Sequence, residues 1–316
     1  MKNFSYFDAH CDTALELWLN GQHLTEPTRH INLQRAKNLG NYAQFFAYCT
    51  CWYDKKTPVE QYKEGLAYFK NEIAAHSDAA ALCGSRAEVE AAWKQGKLAA
   101  IVAIEGAEAI DCDPGRLEEA AQDGVRMITL TWNHENALGG SHITGSGLTA
   151  QGREFVRRAQ KLGIIVDLSH SSERVFYDVC EIAEKPIVAS HSNSRFGKAH
   201  SRNLSDDQFR CLVALNGCAG LNLFPEFLSK RKVVGIERAL RHVNRWLELG
   251  GDGNICLGGD WDGVSELPVD VDGVDSWLKL PPLLADAGIS EDVIDRMTSG
   301  TLLRVMDDCG AKDLER

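Results

Sequence analysis

Leu98-Ala-Ala-Ile-Val-Ala-Ile-Glu105 is apolar from end to end until it closes on a carboxylate. An uninterrupted apolar run of this length reads as a strand buried on both faces, the kind that a parallel sheet covered by helices requires. Three further segments repeat the design: Gly163-Ile-Ile-Val-Asp-Leu-Ser-His170, Pro186-Ile-Val-Ala-Ser-His191 and Asn254-Ile-Cys-Leu-Gly-Gly-Asp260. A fifth, Phe7-Asp-Ala-His-Cys-Asp12, ends the first expected strand with His10 and Asp12 two positions apart, which regular strand geometry turns to one face. Carboxylates and imidazoles at the C-terminal ends of several parallel strands are where an α/β barrel carries its chemistry.

Working outward from these runs, the pattern gives eight strands near 4–10, 43–51, 98–104, 125–131, 163–168, 186–190, 217–223 and 254–259. Helical patterns near 58–77, 85–95, 114–123, 149–162, 172–184, 205–215, 235–250 and 290–308 fill the intervals. Ser85 before Arg-Ala-Glu88 and Ser205 before Asp-Asp-Gln208 read as helix caps. The alternation predicts an α/β fold, a (β/α)8 TIM-type barrel, with residues 1–316 as a single barrel domain. Long loops after strands, at 20–42, 132–148 and 262–285, are expected to form the active site. An open doubly wound sheet would want a Gly-rich phosphate loop after its first strand, and Asp8-Ala-His-Cys-Asp-Thr is unlike one.

With 316 residues, 44% hydrophobic and 25% charged, the chain can bury a large core. Its formal net charge of −11 argues against nucleic-acid and anionic-membrane partners, which call for a clustered basic surface. Small molecules are the expected partners. The N-terminus runs straight into the first strand without a signal-peptide pattern, no stretch approaches a membrane span, and the C-terminus carries no lipid-anchor signal. A cytoplasmic location is expected, and with it free thiols for the ten cysteines. Cys49-Thr-Cys51 is too tightly spaced for a zinc pair and has no second pair to answer it.

One His-x-Asp recurs by chance. Here His10, Asp12, Glu105, His170 and His191 each close or follow an expected strand, and three histidines with two carboxylates exceed the usual three protein ligands of a catalytic zinc. Two metal ions account for the surplus, His10 and Asp12 serving one, His170 and His191 the other, and Glu105 bridging them. Two ions can share a hydroxide and polarise a carbonyl oxygen, the machinery of metal-assisted hydrolysis.

Asp8-Ala-His10-Cys-Asp12, Ile104-Glu105-Gly106, Asp167-Leu-Ser-His170, Ser190-His191-Ser192 and Gly258-Gly-Asp260-Trp-Asp262-Gly263 together resemble the ordered motif set of the membrane dipeptidase (renal dipeptidase) family of zinc peptidases. The likeness extends from Asp8 to Leu302-Leu-Arg-Val305, and the steps of 21 residues from His170 to His191 and 69 from His191 to Asp260 fit it. The resemblance implies a barrel with two Zn2+ per chain, Glu105 bridging, that hydrolyses dipeptides, often with a D-residue on the C-terminal side. It also implies a soluble microbial-type member, and a homodimer as the expected assembly. It gives Asp260 the proton-transfer role, and chemistry agrees that a carboxylate must carry a proton to the poor amine leaving group. Arg202 resembles the family's arginine that grips the substrate carboxylate, for which a two-pronged guanidinium is suited.

Two positions depart from the family pattern. Trp132, in Leu130-Thr-Trp-Asn-His-Glu-Asn136, stands where the family has a substrate-facing histidine, and His134 is the candidate to reach the same space. Thr301 replaces a common asparagine, with altered hydrogen bonding at a helix start as the expected result. The alternative activity is that of another binuclear amidohydrolase, acting on N-acyl amino acids or cyclic amides. Such enzymes typically show His-x-His on strand one, where this chain has Asp12.

Overall fold

In the computed structural model, which describes residues 3–49 and 56–310, the run Leu98–Glu105 is a strand with every residue buried. The strands are β1 (Tyr6–Cys11), β2 (Tyr42–Cys49), β3 (Ala80–Leu82), β4 (Leu98–Glu105), β5 (Val125–Thr129), β6 (Ile165–Asp167), β7 (Ile187–Ala189), β8 (Cys218–Leu221) and β9 (Ile255–Leu257). All pairings are parallel, in the order β2-β1-β9-β8-β7-β6-β5-β4, and a β2–β4 pairing from Ala43↔Ala99 to Cys49↔Glu105 closes the ring. The result is an eight-stranded barrel of the TIM type, as the alternation predicts. Strand β3 lies outside that ring. It pairs only with the first residues of β4, Leu98 to Ala100, before β5 takes over that edge at Val102. Three residues, one buried, one half-buried and one exposed, leave too short a pattern to read from sequence.

The helices Pro58–Ala75, Arg86–Lys94, Ala150–Lys161, Glu173–Ile182 and Asp206–Ala214 match the expected spans, and Ser85 and Ser205 cap theirs as expected. Two of the stretches expected to be loops are partly helical. Leu33–Leu39 is a helix capped by Asn32, and Leu280–Asp286 carries its two prolines in the first turn, where the missing N–H groups are not needed. A further helix, Thr13–Asn20, starts directly after Asp12. The last helical region, expected over 290–308, is broken by a π turn at Arg296–Gly300. Thr301 opens the final helix directly after that turn, with its hydroxyl 3.4 Å from the Gly253 carbonyl.

Inside the ring, Phe7, Ile101, Met127, Ile165 and Val188 pack with Leu302, Val305 and Met306 of the final helix Thr301–Cys309. That helix is tied to the segments leading into β7 and β8 through Lys185 to the Cys309 carbonyl at 2.8 Å and Arg304 to the Asn216 carbonyl at 2.6 Å. One end of the barrel is thereby sealed with apolar side chains, which leaves the C-terminal ends of the strands as the open mouth. Among the described residues eight cysteines are free, but Cys49 is disulfide-bonded, a correction to the expectation of free thiols throughout. It ends β2 buried beside Leu15 and also lines the cavity; Cys51 lies outside the described residues. Among the described residues, no helix is long and apolar enough to cross a membrane.

Candidate metal centre and active site

Strand β1 does not run regularly to its end. Asp8 lies opposite Gln44 and Cys11 opposite Phe46, so three steps on β1 match two on β2. An extra residue of this kind re-aims the side chains around it. His10 thereby reaches a buried cluster: its Nε2 is 3.4 Å from Asp12 Oδ2, 3.6 Å from Glu105 Oε1 and 3.8 Å from Asp260 Oδ1. Asp12 occupies the N-cap position of Thr13–Asn20 yet makes no capping bond with its side chain, which leaves the carboxylate directed at the cluster.

The remaining donors arrive from other strand ends. Glu105 is the last residue of β4, and its Oε1 lies 3.1 Å from His170 Nε2 and 3.4 Å from His191 Nε2. Those two nitrogens are 3.0 Å from each other. His170 and Asp260 hold left-handed backbone at φ 66 and φ 63, and Asp262 at φ 61, a conformation that non-glycine residues keep only when their surroundings impose it. All five expected ligands and Asp260 are thus brought together, in three overlapping groups of three whose donor atoms lie within 4.8 Å of one another.

The histidine tautomers are fixed from behind. Thr129 and Ser190 hydroxyls both donate to Asp167 Oδ2, at 2.6 and 2.7 Å. With its hydrogen committed there, Ser190 Oγ accepts from His191 Nδ1 at 2.7 Å, and the Nε2 lone pair is turned to the cluster. His170 Nδ1 donates to Asn133 Oδ1 at 2.8 Å, with the same consequence. On the far side, Asn222 donates to Asp260 Oδ2 at 2.9 Å and to the His191 carbonyl at 3.1 Å. Asp8 is buried without a cation but accepts from the amides of His10 and Gly259 and from the indoles of Trp261 and Trp277, tying β1 to the segment that carries Asp260.

The donor set fits a cation. Both ring nitrogens of fully buried His10 lack a hydrogen-bond partner, a costly state for polar atoms shut away from water. Burial pushes the Glu105 carboxyl up to about 8 against the pull of His10. Burial also pulls the His10 imidazole down, but Glu105, Asp12 and Asp260 outweigh it and hold the ring at about 10. Burial keeps His170 and His191 well below the usual imidazole range, which favours neutral rings able to donate a lone pair. Carboxylates crowded this closely need positive charge among them, and imidazole with carboxylate is the donor chemistry of zinc.

Above the cluster opens a cavity of about 500 Å3 lined by Asp12, Glu105, His170, Arg202 and Asp260, among others. Arg202 is buried and gives one hydrogen bond, Nη1 to Ser192 Oγ at 3.2 Å, while its Nε and Nη2 have no partner. Asp262 lines the cavity, but its oxygens are taken by Thr13 Oγ1 at 2.6 Å and the His30 amide at 2.9 Å, the work of a turn residue. His134 is exposed, its ring against Trp132 at 5.7 Å, and it does not line the cavity. The histidine of this loop that does is His142, placed by the turn after Trp132 and held between Asn133 and Ser201.

A parallel barrel with this donor set at its strand ends defines a metal-dependent hydrolase. Residues 1–313 match the family profile described as membrane dipeptidase (peptidase family M19). The chain belongs to that family and is a metallo-dipeptidase. Over 98% of its length it is similar to all of the dipeptidase AC, a family M19 metallopeptidase, with TM-score 0.89 and 27% identity. It is similar over the same share to all of a metallopeptidase from Rhodobacter sphaeroides liganded with a phosphinate mimic of the dipeptide L-Ala-D-Ala, with TM-score 0.87 and 26% identity. An uncharacterized protein in the pqqA 5′ region of Klebsiella pneumoniae is 31% identical over 261 residues, 79% of this chain and 96% of that protein.

Proposed function

We propose that the chain cleaves dipeptides at a site holding two zinc ions with a hydroxide between them, and that it accepts a D-residue at the C-terminal position. The observation that carries this reading is Glu105 Oε1, which stands 3.1–3.6 Å from the Nε2 atoms of three histidines from three strands. One shared carboxylate with more donors than a single zinc uses suits a pair of ions. His10 and Asp12 would hold one, His170 and His191 the other, and Glu105 both. Bound there, the ions supply a water acidic enough to ionise near neutral pH and a Lewis acid for the amide carbonyl.

The chain's own residues do the rest. Arg202 lines the cavity with a buried guanidinium whose Nε and Nη2 are unpaired, which suits a substrate carboxylate bound through both oxygens. Burial, with Asp12 adding to it, holds the Asp260 carboxyl above the ordinary range, which favours its taking a proton and passing it to the amine. Asp260 also falls within ligand reach of His10 and His191, but it faces the cavity while neither histidine lines it. The Rhodobacter relative's ligand, a mimic of L-Ala-D-Ala, supports the D-residue. Elemental analysis and a panel of L-L and L-D dipeptides, N-acyl amino acids and cyclic amides test the reading. The expected result is close to two ions per chain and hydrolysis of the dipeptides, L-D included. One ion at full activity, or preference for N-acyl or cyclic amides, would overturn it.

A further inference from the structure

The cavity has two unlike sides. Arg202 comes from the segment after β7, with its Cζ 5.6 Å from the ring of Phe227, which follows β8. Leu15 follows β1, Cys49 ends β2 and Trp132 follows β5. Leu15 and Cys49 form a small apolar cluster against which Trp132 packs, and all three line the cavity. In the ring of strands β1 and β2 stand across from β6 and β7, so Leu15 and Cys49 face the arginine side, and Trp132, from beyond β5, joins this apolar wall by packing against them. It begins beside the donor cluster and not at the outer rim, because the Trp132 ring is 6.3 Å from that of His170.

A dipeptide with its carboxylate on Arg202 and its amide over the cluster has its N-terminal residue beyond the cluster, on the side of this wall. We infer that Leu15 and Trp132 hold the side chain of that residue, and that the chain prefers dipeptides whose N-terminal residue is apolar and of leucine to phenylalanine size. The inference rests on Arg202 as the carboxylate anchor.

Charge supports it. Among the described lining residues Arg202 is the one lysine or arginine, so an acidic side chain at the wall would meet Asp12 and Glu16 with no lysine or arginine beside them in that lining. Glu16 Oε2 already takes Arg29 at 2.8 Å and Asn20 at 3.2 Å, so a basic side chain meets a carboxylate whose charge Arg29 offsets. An apolar side chain needs no partner and gains by leaving water.

The test is kcat/KM of the zinc-loaded enzyme on Xaa-Ala dipeptides, with D- and L-alanine, where Xaa is Gly, Leu, Phe, Asp or Lys. Leu and Phe are expected to exceed Gly, Asp and Lys by about 10-fold or more, the scale on which apolar pockets discriminate. Trp132→Ala should collapse the Leu-to-Gly ratio, and Trp132→Phe should keep most of it, with metal content measured for each. Equal rates for Gly and Leu, a preference for Lys, or a ratio that survives Trp132→Ala would overturn the inference. An Ala-Xaa series separates the two readings. If Trp132→Ala changes C-terminal preference and leaves the N-terminal one alone, the substrate lies the other way round, and Arg202 falls as the anchor together with the wall assignment.

Discussion

His170 Nδ1 stands 2.8 Å from Asn133 Oδ1, and that amide oxygen also receives His142 Nε2 at 3.0 Å. An amide oxygen can only accept, so both rings must present hydrogen to it, and His142 Nδ1 is left to accept from Ser201 Oγ at 2.9 Å. A hydrogen-bonded chain therefore joins the residue preceding Arg202 to a proposed metal ligand. Its backbone counterpart is the His142 amide donating to the His170 carbonyl at 2.7 Å.

Asn133→Leu should lower metal affinity by about 10-fold or more, the usual cost of losing a partner that orients a ligand histidine. His142→Gln, which keeps one donor and one acceptor, should lose less than His142→Phe. Zinc titration of the metal-free variants checks this. Unchanged affinity in Asn133→Leu would show that packing alone orients His170.

Asp260→Asn should keep both metals and lower kcat by at least ~10², the low end of what positioned acid–base groups contribute. The asparagine can still pair with Asn222 but cannot ferry a proton. His170→Ala and His191→Ala should instead lose metal first and activity in consequence. Loss of zinc from Asp260→Asn would recast Asp260 as a ligand, consistent with its reach to His10 and His191.

The donors were legible because each ends or follows an apolar run, a local signal that survives without any knowledge of pairing. Glu105 and His191 could be placed on that ground alone. The bulge in β1 could not, because it depends on which residue of β2 lies opposite Asp8. Asp167 and Ser190 stood inside the quoted motifs but gained their role only once β6 and β7 were side by side. Asn222, directly after β8, ends a strand as the ligands do and could have been found by the same rule. His142 lies in a loop without periodicity, and adjacency to Trp132 favoured His134, which the turn directs outward.

Gly263→Ala should reduce activity more than it reduces stability. A Cβ at this position would sit 2.0 Å from Asp12 Oδ2 and 2.8 Å from Asp260 Oδ1. The carboxylates must move aside, and both belong to the cluster. Zinc content and thermal unfolding measured together check this; full zinc content with normal kcat would mean that Asp12 has room to shift.

Arg202→Lys should weaken hydrolysis of dipeptides with a free C-terminal carboxylate far more than of their amidated counterparts. Lysine keeps the charge but gives up the paired donors. Its shorter reach also leaves the Ser192 hydroxyl without the bond it now receives. Equal losses on both substrate types would show that Arg202 does not read the carboxylate.

Metal uptake should release protons at pH 7. Without a cation, burial holds the Glu105 carboxyl near 8 while the neighbouring carboxylates hold the His10 ring near 10, and because each charge favours the other the pair keeps at least one proton at that pH. Zinc needs the carboxylate and the neutral imidazole, and whatever protons the pair holds must leave as it binds. His170 and His191, kept neutral by burial, have none to give. The sign follows: affinity rises with pH through 7 to 8 and falls as the medium becomes more acid. Calorimetric zinc titrations in two buffers of different ionisation enthalpy measure the count directly. Because the metals bind the folded chain, removing them with a chelator should also lower the unfolding temperature, and more so at pH 8 than at pH 6. Zinc binding with no proton release, or a stabilisation that does not grow with pH, would mean that the cluster is already deprotonated before the metal arrives.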